Sequence, residues 1–239
     1  MDDRPMTVIE HLEELRRRII YSALSVVIGV GVAWYYSERV LDFLIRPAGK
    51  VFLIGVAEGF LLQFRVAVYL GLALASPVIL YHALAFFLPA FEVRSRKPII
   101  FLIPAFILLF SLGIGFAWFV FLPFALKFFL GFGTARMEML VSARSYLDFL
   151  AGFVLPFGFV FEMPLVAGLL TQLGVISHRL LIRLRKYAIL VIFIVAAILT
   201  PPDVFSQVAM ALPMLGLYEL SVLVSWIVRR RVQAPADDG

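Results

Sequence analysis

A carboxyl group stands beside a proline inside the apolar run Phe159-Val160-Phe161-Glu162-Met163-Pro164. A charge at bilayer depth costs about 2.5–3.5 kcal/mol on insertion scales, so Glu162 is expected to face protein, water or a ligand rather than lipid. Two chemistries suit it: a protonated acid hydrogen-bonded within a helix bundle, or the proton or ion site of a secondary transporter. A second group of acids, Glu10, Glu13 and Glu14, precedes Arg16, Arg17 and Arg18. Glu13 with Arg17 and Glu14 with Arg18 have the i,i+4 spacing of ordinary helical ion pairs, worth about 0.2–0.5 kcal/mol each. Yet Glu10 and Glu14 repel on one face, and three acids so close together run against the positive bias of a membrane-flanking segment. Such a face could receive a cationic ligand. Asp203 follows Thr200-Pro201-Pro202, where it can cap the next helix and favour its dipole, and Gln207 shares its face one turn on. Glu219, in Leu217-Tyr218-Glu219, reads as an interfacial residue.

Other chemistries find no residues to carry them. The absence of cysteine excludes disulfides, thiolate metal sites and cysteine nucleophiles. There is no Gly-x-Ser-x-Gly, no His-Glu-x-x-His and no pair of intramembrane aspartates, and His11, His82 and His178 are scattered. An intramembrane enzyme is therefore disfavoured, and neither cofactor nor metal is expected.

The elements that must position these groups are membrane helices. The chain is 63% hydrophobic, with mean hydropathy +1.01, against roughly 45–50% apolar residues in soluble domains. Its 239 residues leave room for about six spans and no large soluble domain. Apolar runs place them at 19–36, 60–89, 99–130, 146–172, 186–200 and 204–228, which makes the fold an all-α polytopic membrane protein. Kinks are expected at Pro77 and Pro104, and Gly152, Pro156, Gly158 and Pro164 interrupt packing around Glu162. The fifth span is too short for a full bilayer, so the membrane there should be thinned or water-filled. Thr7-Val8-Ile9-Glu10 has the capping-box pattern, so a helix should begin there. Its stripe of Val8, Leu12, Leu15 and Ile19 would lie on the membrane surface, charged residues outward, before the chain turns into the first span. No removable signal peptide is expected before that span.

Basic residues cluster at 4, 16–18, 94–97, 179–186 and 229–231. Placing these on one side puts both termini in the cytoplasm. The domains are then an amphipathic helix over 1–18, a transmembrane domain over 19–228 and a basic, then disordered, tail over 229–239. The net charge of +5 points to anionic headgroups as partner, and its division among short segments argues against nucleic acid. No internal repeat suggests an inverted-repeat transporter.

Several stretches resemble one family: His11-Leu12-Glu13-Glu14-Leu15-Arg16, Ser76-Pro77-Val78-Ile79-Leu80-Tyr81, Phe157 to Pro164, Leu199 to Gln207, Ala211-Leu212-Pro213-Met214 and Leu217-Tyr218-Glu219. Together they are similar to TatC, the multispanning receptor of the twin-arginine protein translocase. The resemblance implies a glove-like cup of six helices in the plasma (inner) membrane, termini inside. It also implies binding of twin-arginine signal peptides of folded cargo and an oligomeric complex with the single-span subunits TatA and TatB. It places the principal arginine-binding carboxylate at Glu14, beside Arg16. The family's second acceptor, a loop glutamate, aligns with Ser95; the loop's acid is Glu92, and either Glu92 or Glu13 takes its place. Phe86 and Pro89 would frame the signal-binding region, with Pro47 in the first periplasmic loop. Glu162 would be the buried acid of the concave face, and Asp203 and Gln207 would lie where partner helices dock.

Overall fold

A computed structural model describes residues 8–90, 97–131, 140–200 and 203–233. Thr7, Glu92, Ser95, Pro201 and Pro202 lie outside them. The chain divides into two compact units: Met1–Arg46 with Leu53–Pro104, and Pro47–Phe52 with Ala105–Gly239.

The first unit is built on α1 (Val8–Ile45) and α2 (Glu58–Ala90). His11 stacks on Phe86, Tyr21 meets His82 and Trp34 meets Phe60, so the two helices run antiparallel. They close on each other at two glycines. A Cβ on Gly71 would stand 2.6 Å from the Val30 nitrogen, and one on Gly29 would stand 2.7 Å from the Gly71 carbonyl oxygen. Ala33, Ala67 and Ala75 continue this seam of small buried residues. Between helices whose surroundings are as apolar as leucine, close backbone contact is a main source of association.

Proline decides where these helices continue. Pro77 has no N–H for the Ala73 carbonyl, but the Ser76 hydroxyl donates to that carbonyl at 2.7 Å, and α2 runs on unbroken.

In the second unit, β1 (Val51–Phe52) pairs in parallel with β2 (Val141–Ser142), Val51 opposite Val141. Helix α3 (Lys97–Phe116), which begins before the boundary between the units, passes into a π-helical segment, Ala117–Phe121, and then α4 (Leu122–Leu130). Pro123 explains the widening. It withholds an N–H from Phe119, and the turn expands to keep its carbonyls bonded. Helices α5 (Ala143–Val160) and α6 (Met163–Gln172) are separated by Phe161 and Glu162, because Pro164 can give no N–H to Val160. Helices α7 (His178–Leu199) and α8 (Val204–Gln233) complete the chain. The core is aromatic: Phe157 is fully buried, against Phe116 and Phe121. Both α6 and α7 pack along α8. The Thr171 and Ser225 hydroxyls share a hydrogen bond at 2.7 Å, and the Tyr218 hydroxyl donates to the Leu181 carbonyl at 2.6 Å.

Several sequence expectations change. Residues 8–45 form one helix, with no turn near 18, since nothing between His11 and Ile28 interrupts it. Pro77 and Pro104 lie inside continuous helices, while the helix widens before Pro123 and ends before Pro164. The helix that carries the expected fifth span, α7, is 22 residues long, longer than the short apolar run 187–199 within it. It begins at the Ser177 cap, whose hydroxyl accepts from the Leu180 N–H, and its first turns carry Arg179, Arg183, Arg185 and Lys186, all compatible with helix. Those charges are also why five helical stretches among the described residues, and not six, are long and apolar enough to cross a membrane: Ile9–Ala48, Glu58–Leu88, Phe101–Phe129, Ala143–Gln172 and Val204–Arg229.

A side chain at the glycine seam has nowhere to go. Gly71→Val is expected to destabilise the protein by about 1–3 kcal/mol, read as a lower Tm in detergent; an unchanged Tm would mean that α1 and α2 can separate freely.

Candidate functional site

In the first unit, His11, Glu14, Arg18 and Ser22 follow one another at intervals of three and four, which stacks them on one face of α1. That face meets α2. The Glu14 side chain is only 10% exposed and that of Arg18 20%. Arg18 Nε donates to Glu14 Oε1 at 3.0 Å, and Arg18 Nη2 donates to the same oxygen. Glu14 Oε2 is buried and has no partner among the described residues. Beside the pair lies a groove of about 390 Å³, lined by Leu15, Arg18, Ile19, Ser22, His82 and Phe86, among others.

This reverses the amphipathic reading of the N-terminal segment. Leu12 and Ile19 are more than half exposed, whereas Glu14 and Arg18 turn toward α2. Neutralised as a pair, the two charges can be covered, and the apolar side chains are left for a surrounding that suits them. Glu13 and Arg16 are exposed, Phe86 is half-buried, and Pro89 lies in the last turn of α2. The residues not singled out from sequence are His11 and His82. His11 stacks on Phe86 at 4.3 Å, and its spacing to Glu14 and Arg18 was the available signal; His82 reaches the face only through the packing of α2.

In the second unit, Glu162 occupies the turn between α5 and α6 and is 5% exposed. Its backbone carbonyl accepts from the Val166 N–H at 2.9 Å, starting α6. Neither carboxyl oxygen has a hydrogen-bond partner among the described residues. Close approach of α3 and α5 at this level depends on Gly158, where a Cβ would stand 2.7 Å from the Phe110 ring.

At the other polar position, Asp203 acts as the cap its placement suggests. Its Oδ1 accepts from the Ser206 N–H at 2.7 Å. Gln207 Nε2 donates to the Phe193 carbonyl at 3.0 Å, tying α8 to α7. Glu219 pairs with Arg185 at 2.6 Å on an exposed surface. Pro47 is exposed in the 3-10 turn Arg46–Ala48. Thus Glu14 and Phe86 share the first unit, while Glu162, Asp203 and Gln207 belong to the second. No group of three or more histidines and acids among the described residues could hold a metal ion.

Helices of this length and apolarity define a multi-span membrane protein. The sequence profile of the Sec-independent protein translocase protein (TatC) family matches residues 10–213. The Sec-independent protein translocase protein TatC of Carboxydothermus hydrogenoformans is 43% identical over 234 residues, covering 96% of each chain. That of Aquifex aeolicus is 38% identical over 234 residues, covering 95% of this chain and 97% of its own. A crystal structure of the twin-arginine translocase receptor TatC matches with a TM-score of 0.84 at 38% identity, covering 92% of this chain and 100% of that one. The chain belongs to the TatC family, a family of membrane-embedded, non-enzymatic protein translocase subunits. Nothing in these similarities supports a proton-coupled transporter using Glu162.

An unpaired buried carboxyl does not stabilise a fold. Glu162→Met, which removes the polar group at similar volume, is expected to leave Tm unchanged or to raise it. A marked fall would mean that the carboxyl makes bonds that hold α5 and α6.

Proposed function

We propose that this protein is the receptor and core subunit of a twin-arginine translocase, binding the paired arginines of signal peptides on folded cargo. Membership of the family supports this reading, and one observation carries the assignment to Glu14: its carboxylate is nine-tenths buried and already holds a guanidinium. A carboxylate that accepts the planar fork of Arg18 is suited to accept that of a peptide arginine. A lysine ammonium offers no fork, so a twin-lysine peptide should bind less well. Glu92 is proposed as the second acceptor in place of the glutamate that Ser95 replaces, with Glu13 the other candidate. Arg16, Phe86 and Pro89 frame the entry.

In this reading α7 carries the fifth of six spans, both termini are cytoplasmic, residues 1–18 belong to the cytoplasmic side, and residues 229–239 form a cytoplasmic tail. Anionic lipid meets the basic segments. TatA and TatB dock near Asp203 and Gln207, with Pro47 on the same periplasmic side, in an oligomeric complex that needs neither cofactor nor nucleic acid. Glu162 acts after recognition, receiving the signal hairpin or a polar group of a partner helix.

Glu14→Gln is expected to weaken binding of a twin-arginine peptide by about ten- to a hundredfold, since a charge-assisted hydrogen bond contributes roughly 1.5–3 kcal/mol. Photocrosslinking to the peptide and to its twin-lysine form measures this, and undiminished crosslinking in the variant rules Glu14 out. Glu14→Gln combined with Glu92→Gln should lose more than either alone; normal binding by Glu92→Gln with a loss in Glu13→Gln would move the second role to Glu13. Glu162→Ala should block export of folded cargo while peptide crosslinking at Glu14 persists, and normal export by this variant would leave Glu162 without a role in transport.

A further inference from the structure

The carboxylate assigned to the signal peptide is occupied. Arg18 places both Nε and Nη2 on Glu14 Oε1, and Glu14 Oε2 is buried without a partner. With the Glu14 side chain 10% exposed, an external guanidinium reaches neither oxygen while Arg18 lies across it. The other polar groups along the groove are Ser22 and His82, and neither is a competing acid.

We infer that Arg18 is an internal competitor for the Glu14 carboxylate, a specificity-determining residue that a substrate guanidinium must displace; the inference rests on the receptor reading of Glu14. Exchange of one guanidinium for another conserves the kind and number of charge-assisted bonds at Glu14. The first arginine of a peptide therefore gains little by itself. A second arginine, finding an acceptor elsewhere, supplies the net gain that drives the exchange. A lysine ammonium is a point charge with no planar fork and returns less than Arg18 took. Arg18 thus sets a threshold that single arginines and lysines do not cross.

The test uses the full chain in detergent, fluorescently labelled twin-arginine and twin-lysine peptides, and fluorescence anisotropy. Arg18→Met is expected to bind the twin-arginine peptide about tenfold tighter than the wild type, and the gap between the two peptides should shrink. Its Tm should fall at the same time, because Glu14 loses its counter-charge. A residue that only supported the fold would lower affinity and Tm together. Arg18→Lys, which keeps the charge but not the fork, should bind with intermediate affinity, and it decides alone if Arg18→Met does not fold. A wild type that distinguishes the peptides, with variants that bind no tighter, overturns the competitor role and leaves the receptor reading standing. A wild type that binds both peptides equally removes the receptor reading, and the inference with it.

Discussion

Without water in the hydrocarbon layer, each backbone donor and acceptor must find its partner inside the chain. The architecture depends on how prolines meet that demand. At Pro77 a serine hydroxyl replaces the missing donor and the helix continues. Pro123 has no such substitute, and the chain expands into a π-helical segment. Before Pro164 the helix ends, and the residue left in the turn is Glu162. The same missing N–H therefore accompanies a continuous helix, a widened one or a broken one, and at Pro104, Pro156 and Pro213 the helix also runs on.

The second constraint is distance between backbones. Where Gly29 faces Gly71, α1 and α2 come close enough for a seam of alanines to pack behind them. That proximity is also what covers Glu14. A carboxylate on a lone helix would be solvated and weakly held by an i,i+4 arginine. Pressed against α2, it is sheltered from water, and the pair with Arg18 becomes a feature of the site rather than of the helix surface.

Much of this was legible in the sequence. Membrane class, the positions of the apolar runs, the cap at Asp203 and the oddity of Glu162 all follow from composition and local pattern. The interruption at Pro164 was visible; the widening before Pro123 lay inside a run whose apolarity hid it. The first turns of α7 lie outside the apolar run because they carry charged residues, although these are good helix formers. The orientation of Glu14 was misread because an amphipathic stripe assumes water on the polar side, and here the polar side meets another helix. His82 could not be assigned to that face at all, since only the antiparallel register of α1 and α2 places it there.

The pairing of β1 with β2 bears on the order in which the chain assembles. Helices α1 and α2 are neighbours in sequence and can close on each other as soon as both have been synthesised. Val51 sits in the connection between them, yet its partner Val141 is made only after α3 and α4. The strand must therefore wait, its backbone groups bonded to water or headgroups, while the following helices insert. Registration of this short parallel ladder marks the moment at which an early connection is tied to a late one, and a stalled or truncated chain ending before residue 141 would keep its first helical pair but leave that connection open.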